Sequence, residues 1–118
     1  MITNLERIEL AKAYVALSNS HQLGLIIGLF ANDAQYSSSN VGSYSGPGAI
    51  QKMMSQFFNQ YPDVFWHTDE FKHSGHNCVQ FRFELTATNK ATGQRIERVG
   101  NEEIEFNSDG LIARLEVT

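Results

Sequence analysis

The 118-residue chain contains one cysteine, Cys78, so no intrachain disulfide forms. A lone cysteine fits a reducing compartment, and a cytoplasmic location is expected. Long apolar runs are missing as well. The most apolar stretch, "LGLIIGLF" (Leu23–Phe30), has eight residues, against about 20 for a membrane span. The opening "MITNLERIEL" lacks a basic region followed by an apolar core, so no secretory leader is expected. Basic residues are few: nine Lys and Arg stand against 13 Asp and Glu, for a net charge of −4. They form no cluster. That argues against nucleic acid as a partner, because such binding rests on a basic stripe. It argues against anionic membrane surfaces for the same reason. What is present is 42% hydrophobic and 19% charged residues, the balance of a globular protein. A chain this long suits one domain over residues 1–118 and buries roughly two-thirds of its unfolded surface.

Helical signals come first. Thr3 precedes Glu6 by three residues, a capping-box spacing. A helix over Asn4–Ser18 follows, with Leu5, Ile8, Ala11 and Val15 on one side. Ser20 can cap a second helix over His21–Ala31, with Leu23, Ile26, Ile27 and Phe30 inward. Gly24 and Gly28 lie one turn apart there, marking either a close backbone approach or a tolerated weakness. After a short strand in "NDAQYSSS", Pro47 starts a third helix that Pro62 stops. Ile50, Met53, Met54, Phe57, Phe58 and Tyr61 form its stripe.

Beyond Pro62 the period becomes two. Strands are expected over Val64–Lys72, Cys78–Asn89, Gln94–Asn107 and Leu111–Val117. The separators "HSGHN", "KATG" and "NSDG" suit antiparallel hairpins. Helices first and strands last indicate an α+β fold. The expected architecture is a cone-like curved antiparallel sheet packed on three N-terminal helices, with a pocket at its mouth.

The order of elements, with "YVALSNSHQLGLIIGLFANDA" (Tyr14–Ala34), "YSGPGAI" (Tyr44–Ile50) and "IEFNSDGLI" (Ile104–Ile112), resembles the nuclear transport factor 2-like superfamily. Its members include ketosteroid isomerase and the polyketide cyclases. The resemblance covers nearly the whole chain and implies the cone fold. In ketosteroid isomerase a carboxylate base moves a proton while a Tyr and a protonated Asp hold the developing oxyanion. The resemblance places that Tyr at Tyr14, the protonated acid at Glu102 and the base at Ser38. Serine cannot act as a carboxylate base, so steroid isomerisation is not expected.

The residues themselves raise a second question in "RIERVGNEEIEF" (Arg95–Phe106). Ile96, Ile104 and Phe106 share one strand face, which should look into the core. Arg98, Gly100 and Glu102 lie on that same face. A buried ion costs several kcal/mol unless paired, and positions 98 and 102 are about 13 Å apart along a strand. Gly100 would floor a cavity with Arg98 and Glu102 at its ends. Arg98 would bind an anion through its fork; Glu102 would act as general acid or base. The alternatives are that Arg98 snorkels at the rim or that a bulge turns it outward.

In "VFWHTDEF", Trp66 and His67 cannot both face inward from a regular strand. His67 inside would be a base; Trp66 inside would be a wall. Tyr36, Phe57 and Phe81 complete the expected lining; the alternative for Tyr36 and Phe57 is plain packing in the core. His73 and His76 sit in a turn without further ligands, so no metal is expected, and no cofactor signature occurs. The expected catalytic set is Glu102, Tyr14 and His67. The expected binding set is Arg98, Gly100, Trp66, Tyr36, Phe57 and Phe81. The expected partner is a small molecule, in an isomerase, dehydratase or cyclase or in a non-catalytic binding module. A homodimer seeded by Val99 and Ile112 on the outer sheet face is the assembly reading.

Overall fold

The first helix, α1 (Asn4–Asn19), begins at the expected capping box. The Glu6 amide donates to Thr3 Oγ1 at 3.1 Å, and the Thr3 amide donates to Glu6 Oε1 at 3.2 Å. Ala11, Tyr14, Val15 and Ser18 are its buried face. Leu5 lies outside that face and is 69% exposed. The structure, a computed structural model, describes residues 2–118.

The second helix, α2 (Leu23–Ile27), is shorter than its apolar spacing predicts. His21 takes a left-handed φ of 55°, and its Nε2 lies 3.0 Å from the Val64 carbonyl. That interrupts the chain before Leu23. At the other end the Leu29 carbonyl accepts from the Ile112 amide at 2.8 Å, so the sheet captures the backbone there. Phe30 therefore opens strand β1 (Phe30–Ser38) rather than closing a helix. Neither helical glycine is a point of close packing. A Cβ at Gly24 would meet nothing within 4 Å, and one at Gly28 would meet only carbonyls of its own turn.

A hairpin joins β1 to β2 (Gly42–Ser45), and Gly46 at φ +82° turns the chain into α3 (Gly46–Gln60). Pro47 occupies the first turn, and Ile50, Met53 and Met54 are buried. Then come β3 (Phe65–Ser74), β4 (Cys78–Thr88), β5 (Arg95–Phe106) and β6 (Ile112–Val117). The sheet order is β2-β1-β6-β5-β4-β3. The four C-terminal strands are antiparallel neighbours, as their short turns require. β1 runs parallel to β6, so the sheet is mixed, not purely antiparallel. No hairpin links those two strands, so turn chemistry does not set their relative direction.

The sheet is curved and unclosed. Its register shifts between Asp69 and Lys72, where Glu70 takes a φ of 58°, and again at Phe30/Gln35 and Glu105/Phe106. Bulges of this kind bend a strand. The inner face carries Val79, Phe81, Phe83, Leu85, Ala87, Ile104, Phe106, Ile112 and Leu115, all buried beneath the helices. No described helix is long and apolar enough to cross a membrane.

Candidate functional site

Alternation along β5 settles which side chains face the helices. Ile104 and Phe106 are buried, and Glu102 on the same parity is 6% exposed. Arg98 is half-buried on that face. The ladder aligns Leu85 with Arg98, Phe83 with Gly100 and Phe81 with Glu102. β3 places Trp66 beside Leu85. On the other side Val117 pairs with Glu102, and Ser38 pairs with Val117. Two rows result: Trp66–Leu85–Arg98, and Ser38–Val117–Glu102–Phe81. Ser38 and Glu102 are thus two strands apart, about 10 Å.

Between these rows and the helices lies a cavity of about 60 Å³. Tyr14, Val15 and Ser18 reach it from α1, and Met53, Met54, Phe57 and Phe58 from α3. The sheet contributes Tyr36, Ser38, Trp66, Phe83, Leu85, Arg98, Glu102 and Val117. Exposed Asn40 and half-buried Val41, from the β1–β2 turn, mark where it meets the surface. That is below the about 300 Å³ of a pocket for a drug-sized molecule, so the enclosed space suits a small ligand that extends toward the mouth.

The ionisable groups here are displaced from their ordinary states. Burial pushes the Glu102 carboxyl up to about 8, so it is mostly neutral at pH 7. No described residue hydrogen-bonds or ion-pairs with it. Burial also holds the Tyr14 phenol well above its ordinary value, with Tyr36 and Glu102 adding to the shift. Tyr36 is raised by burial, then by Glu102 and Tyr44. Three neutral O–H groups therefore line one cavity. Arg98, at the other end, has no carboxylate within 4.0 Å among the described residues.

Trp66 takes the inward position because the end of α1 grips the sheet edge. Asn19 Nδ2 donates to the Trp66 carbonyl at 2.9 Å, and the Trp66 amide donates to Asn19 Oδ1 at 2.7 Å. The Trp66 ring lies 6.1 Å from that of Phe57 and 6.3 Å from that of Phe58. His67 consequently points outward, against the Phe65 ring at 4.7 Å, and leaves the candidate catalytic set.

Two further expectations need correction. Gly100 does not floor open space. A Cβ there would lie 2.9 Å from Phe83 Cζ and closer still to the Thr118 carbonyl, so ring and backbone already fill the position. Phe81 pairs with Glu102 but faces Phe71, stacked at 4.7 Å, and belongs to the core. Phe83 and Leu85, of the same parity, are the lining residues that the sequence reading missed. Ser18 and Val15 were missed too, although both lie within one turn of Tyr14. On the outer face Val99 is 68% exposed, but Ile112 is 1% exposed and lies in the core. That removes one of the two residues expected to seed a dimer. His73 and His76 are exposed at the β3–β4 turn, and no described group of three or more His, Cys, Asp or Glu is placed to hold a metal ion.

Residues 11–115 match the SnoaL-like domain. No curated protein matches the chain. Among solved structures it is similar to AclR, a proposed hydroxylase from Streptomyces galilaeus, at 24% identity and TM-score 0.84, covering 98% of this chain and 90% of AclR. It is similar to SalBIII, an epoxide hydrolase/cyclase-like enzyme of pyran ring formation in the polyether salinomycin, at 15% identity and TM-score 0.89, covering 99% and 92%. A third is a hypothetical protein of ketosteroid isomerase-like fold from Catenulispora acidiphila, in complex with trimethylamine, at 14% identity and TM-score 0.83, covering 93% and 84%. At these identities the likeness establishes the cone fold alone. With the match over residues 11–115, the chain belongs to the SnoaL-like domain family of the nuclear transport factor 2-like superfamily.

Proposed function

We propose that the cavity is a small-molecule site in which Glu102, in its neutral form, joins Tyr14 and Tyr36 in donating hydrogen bonds to a ligand oxygen that gains negative charge. The observation that carries this reading is the place of Glu102: on the inner face of β5, lining the cavity, with no hydrogen-bond or ion-pair partner among the described residues, where burial pushes its carboxyl up to about 8. Its carboxyl oxygens open onto the cavity, where a ligand oxygen can meet them directly. Donors already aimed at a developing oxyanion contribute on the order of 10²–10³ in rate each. The chemistry this favours is that of an isomerase, dehydratase or cyclase, working within one domain and without a cofactor. Ser38 supplies no carboxylate, so water or the ligand itself takes up any proton removed from carbon.

The absence of that base favours a second reading, in which the cavity holds an apolar ligand with a polar tip and no reaction follows. Hydrogen exchange separates the two. In D₂O, wild type should accelerate deuterium entry at the α-carbon of bound cyclohexanone, and Glu102→Leu should abolish the acceleration. Binding without acceleration assigns the cavity to the non-catalytic reading. Absence of binding by cyclohexanone and by phenol contradicts both.

A further inference from the structure

The arginines of the sheet differ in one respect. Arg82 lies 2.9 Å from Glu84 and 3.7 Å from Asp69. Arg95 lies 3.8 Å from Glu97. Arg114 reaches Glu103 at 2.6 Å, Glu105 at 3.1 Å and Glu116 at 3.5 Å. All of these project from the outer face. Arg98 alone among the strand arginines points inward, and it has no carboxylate partner among the described residues. Its row neighbours are Leu85 and Trp66, which offer it no acceptor.

A guanidinium stays protonated at any working pH and presents a planar fork of donors. In a protein of net charge −4 with 13 acidic side chains, a partner for it was readily available in composition. An arginine left unpaired in a cavity is a ready seat for an anion from outside. At the far end of the cavity stand the neutral donors. Positions 98 and 102 are about 13 Å apart along the strand. Both side chains reach the cavity from those positions, so a molecule with polar groups at two opposite ends, as on a para-substituted ring, meets each with a hydrogen bond of about 3 Å. The walls between are aromatic or thioether: Trp66, Phe57, Phe83 and Met54.

We infer that the ligand is a ring-sized oxo or hydroxy acid, its carboxylate on the Arg98 fork and its second oxygen at Glu102, Tyr14 and Tyr36. This rests on the donor role proposed above and adds the charged end. The test uses two matched probes, 4-hydroxybenzoate and 4-hydroxybenzamide, titrated calorimetrically at pH 6.5. Wild type should bind the acid at least tenfold more tightly than the amide. Arg98→Met should bring the two within twofold, chiefly by loss of acid affinity, and an unchanged near-UV circular dichroism spectrum reports an intact cavity. Arg98→Lys should keep part of the preference. Glu102→Leu should weaken both probes equally. Equal affinity of wild type for acid and amide, or a preference that survives Arg98→Met, overturns the inference and leaves the donor role standing. Failure of both probes to bind at millimolar concentration overturns both.

Discussion

On β5, Glu102 points into the cavity, where burial pushes its carboxyl up to about 8 and no partner stands among the described residues. Glu103, one residue along, points out of the sheet. There Arg114 at 2.6 Å and Gln80 at 2.6 Å hold its carboxyl below the ordinary range. One peptide bond separates two opposite solutions for a carboxyl group. The arginines repeat the contrast: Arg98 inside has no carboxylate partner among the described residues, and Arg114 outside has three. Unmet electrostatic demand sits where a ligand can enter and nowhere on the neighbouring outer network. The difference lies in where the pleat turns each side chain, since both faces draw on the same residue types.

The largest expected effect follows from Glu102. Its unfolded value is near 4.5 and its folded value about 8. Between those limits the folded state holds a proton that the unfolded chain has lost. Stability is therefore full below pH 4.5 and declines as pH rises to 8, by up to about 5 kcal/mol. Urea unfolding at pH 5 and pH 8 measures this slope, and Glu102→Gln should flatten it. Glu103 carries the opposite sign: its contribution is present above the unfolded value and is lost on acidification below it. A Glu103→Gln variant should leave the pH 5 to 8 slope intact.

Next in size is Gly100→Ala. The added methyl would press on the Phe83 ring and the Thr118 backbone. Overpacking of this kind costs about 1–3 kcal/mol. Chemical unfolding checks the loss, and a neutral effect would mean that the β5 edge yields easily.

Asn19→Ala removes both bonds that fix Trp66 inward. A loss of about 1–2 kcal/mol is expected, with a shift of Trp66 fluorescence as the cavity wall loosens. Because the chain has a single tryptophan, that signal is unambiguous.

The smallest effect is expected on the outer network. Arg114→Gln should cost no more than about 1 kcal/mol, since the pairs are partly solvated, and the loss should shrink in high salt. Arg114 stands in three such pairs. An effect larger than that of Asn19→Ala would reverse the ranking of the two faces.

The sequence carried the fold through periodicity and punctuation. Capping at Thr3, the start at Pro47, the stop at Pro62 and the hairpin turns mark elements that the structure contains. Parity of two was enough to turn Arg98 and Glu102 inward together. What parity cannot encode is contact across the sheet. Phe81, Phe83 and Leu85 are equivalent in the alternation, and only their rows distinguish core from cavity wall. Gly100 reads as an open floor until the Phe83 ring is seen to occupy it. The choice between Trp66 and His67 was invisible locally because it is made by Asn19, 47 residues away. The second helix was overestimated for a similar reason: competition from β6 for the Leu29 carbonyl leaves no trace in a helical spacing.

The most direct test is to follow the carboxyl ¹³C resonances of Glu102 and Glu103 together through a pH titration. A midpoint near 8 is expected for Glu102 and one below 4.5 for Glu103. Two midpoints close together near 4.5 would mean that Glu102 is an ordinary solvated carboxylate, and the donor site would not exist.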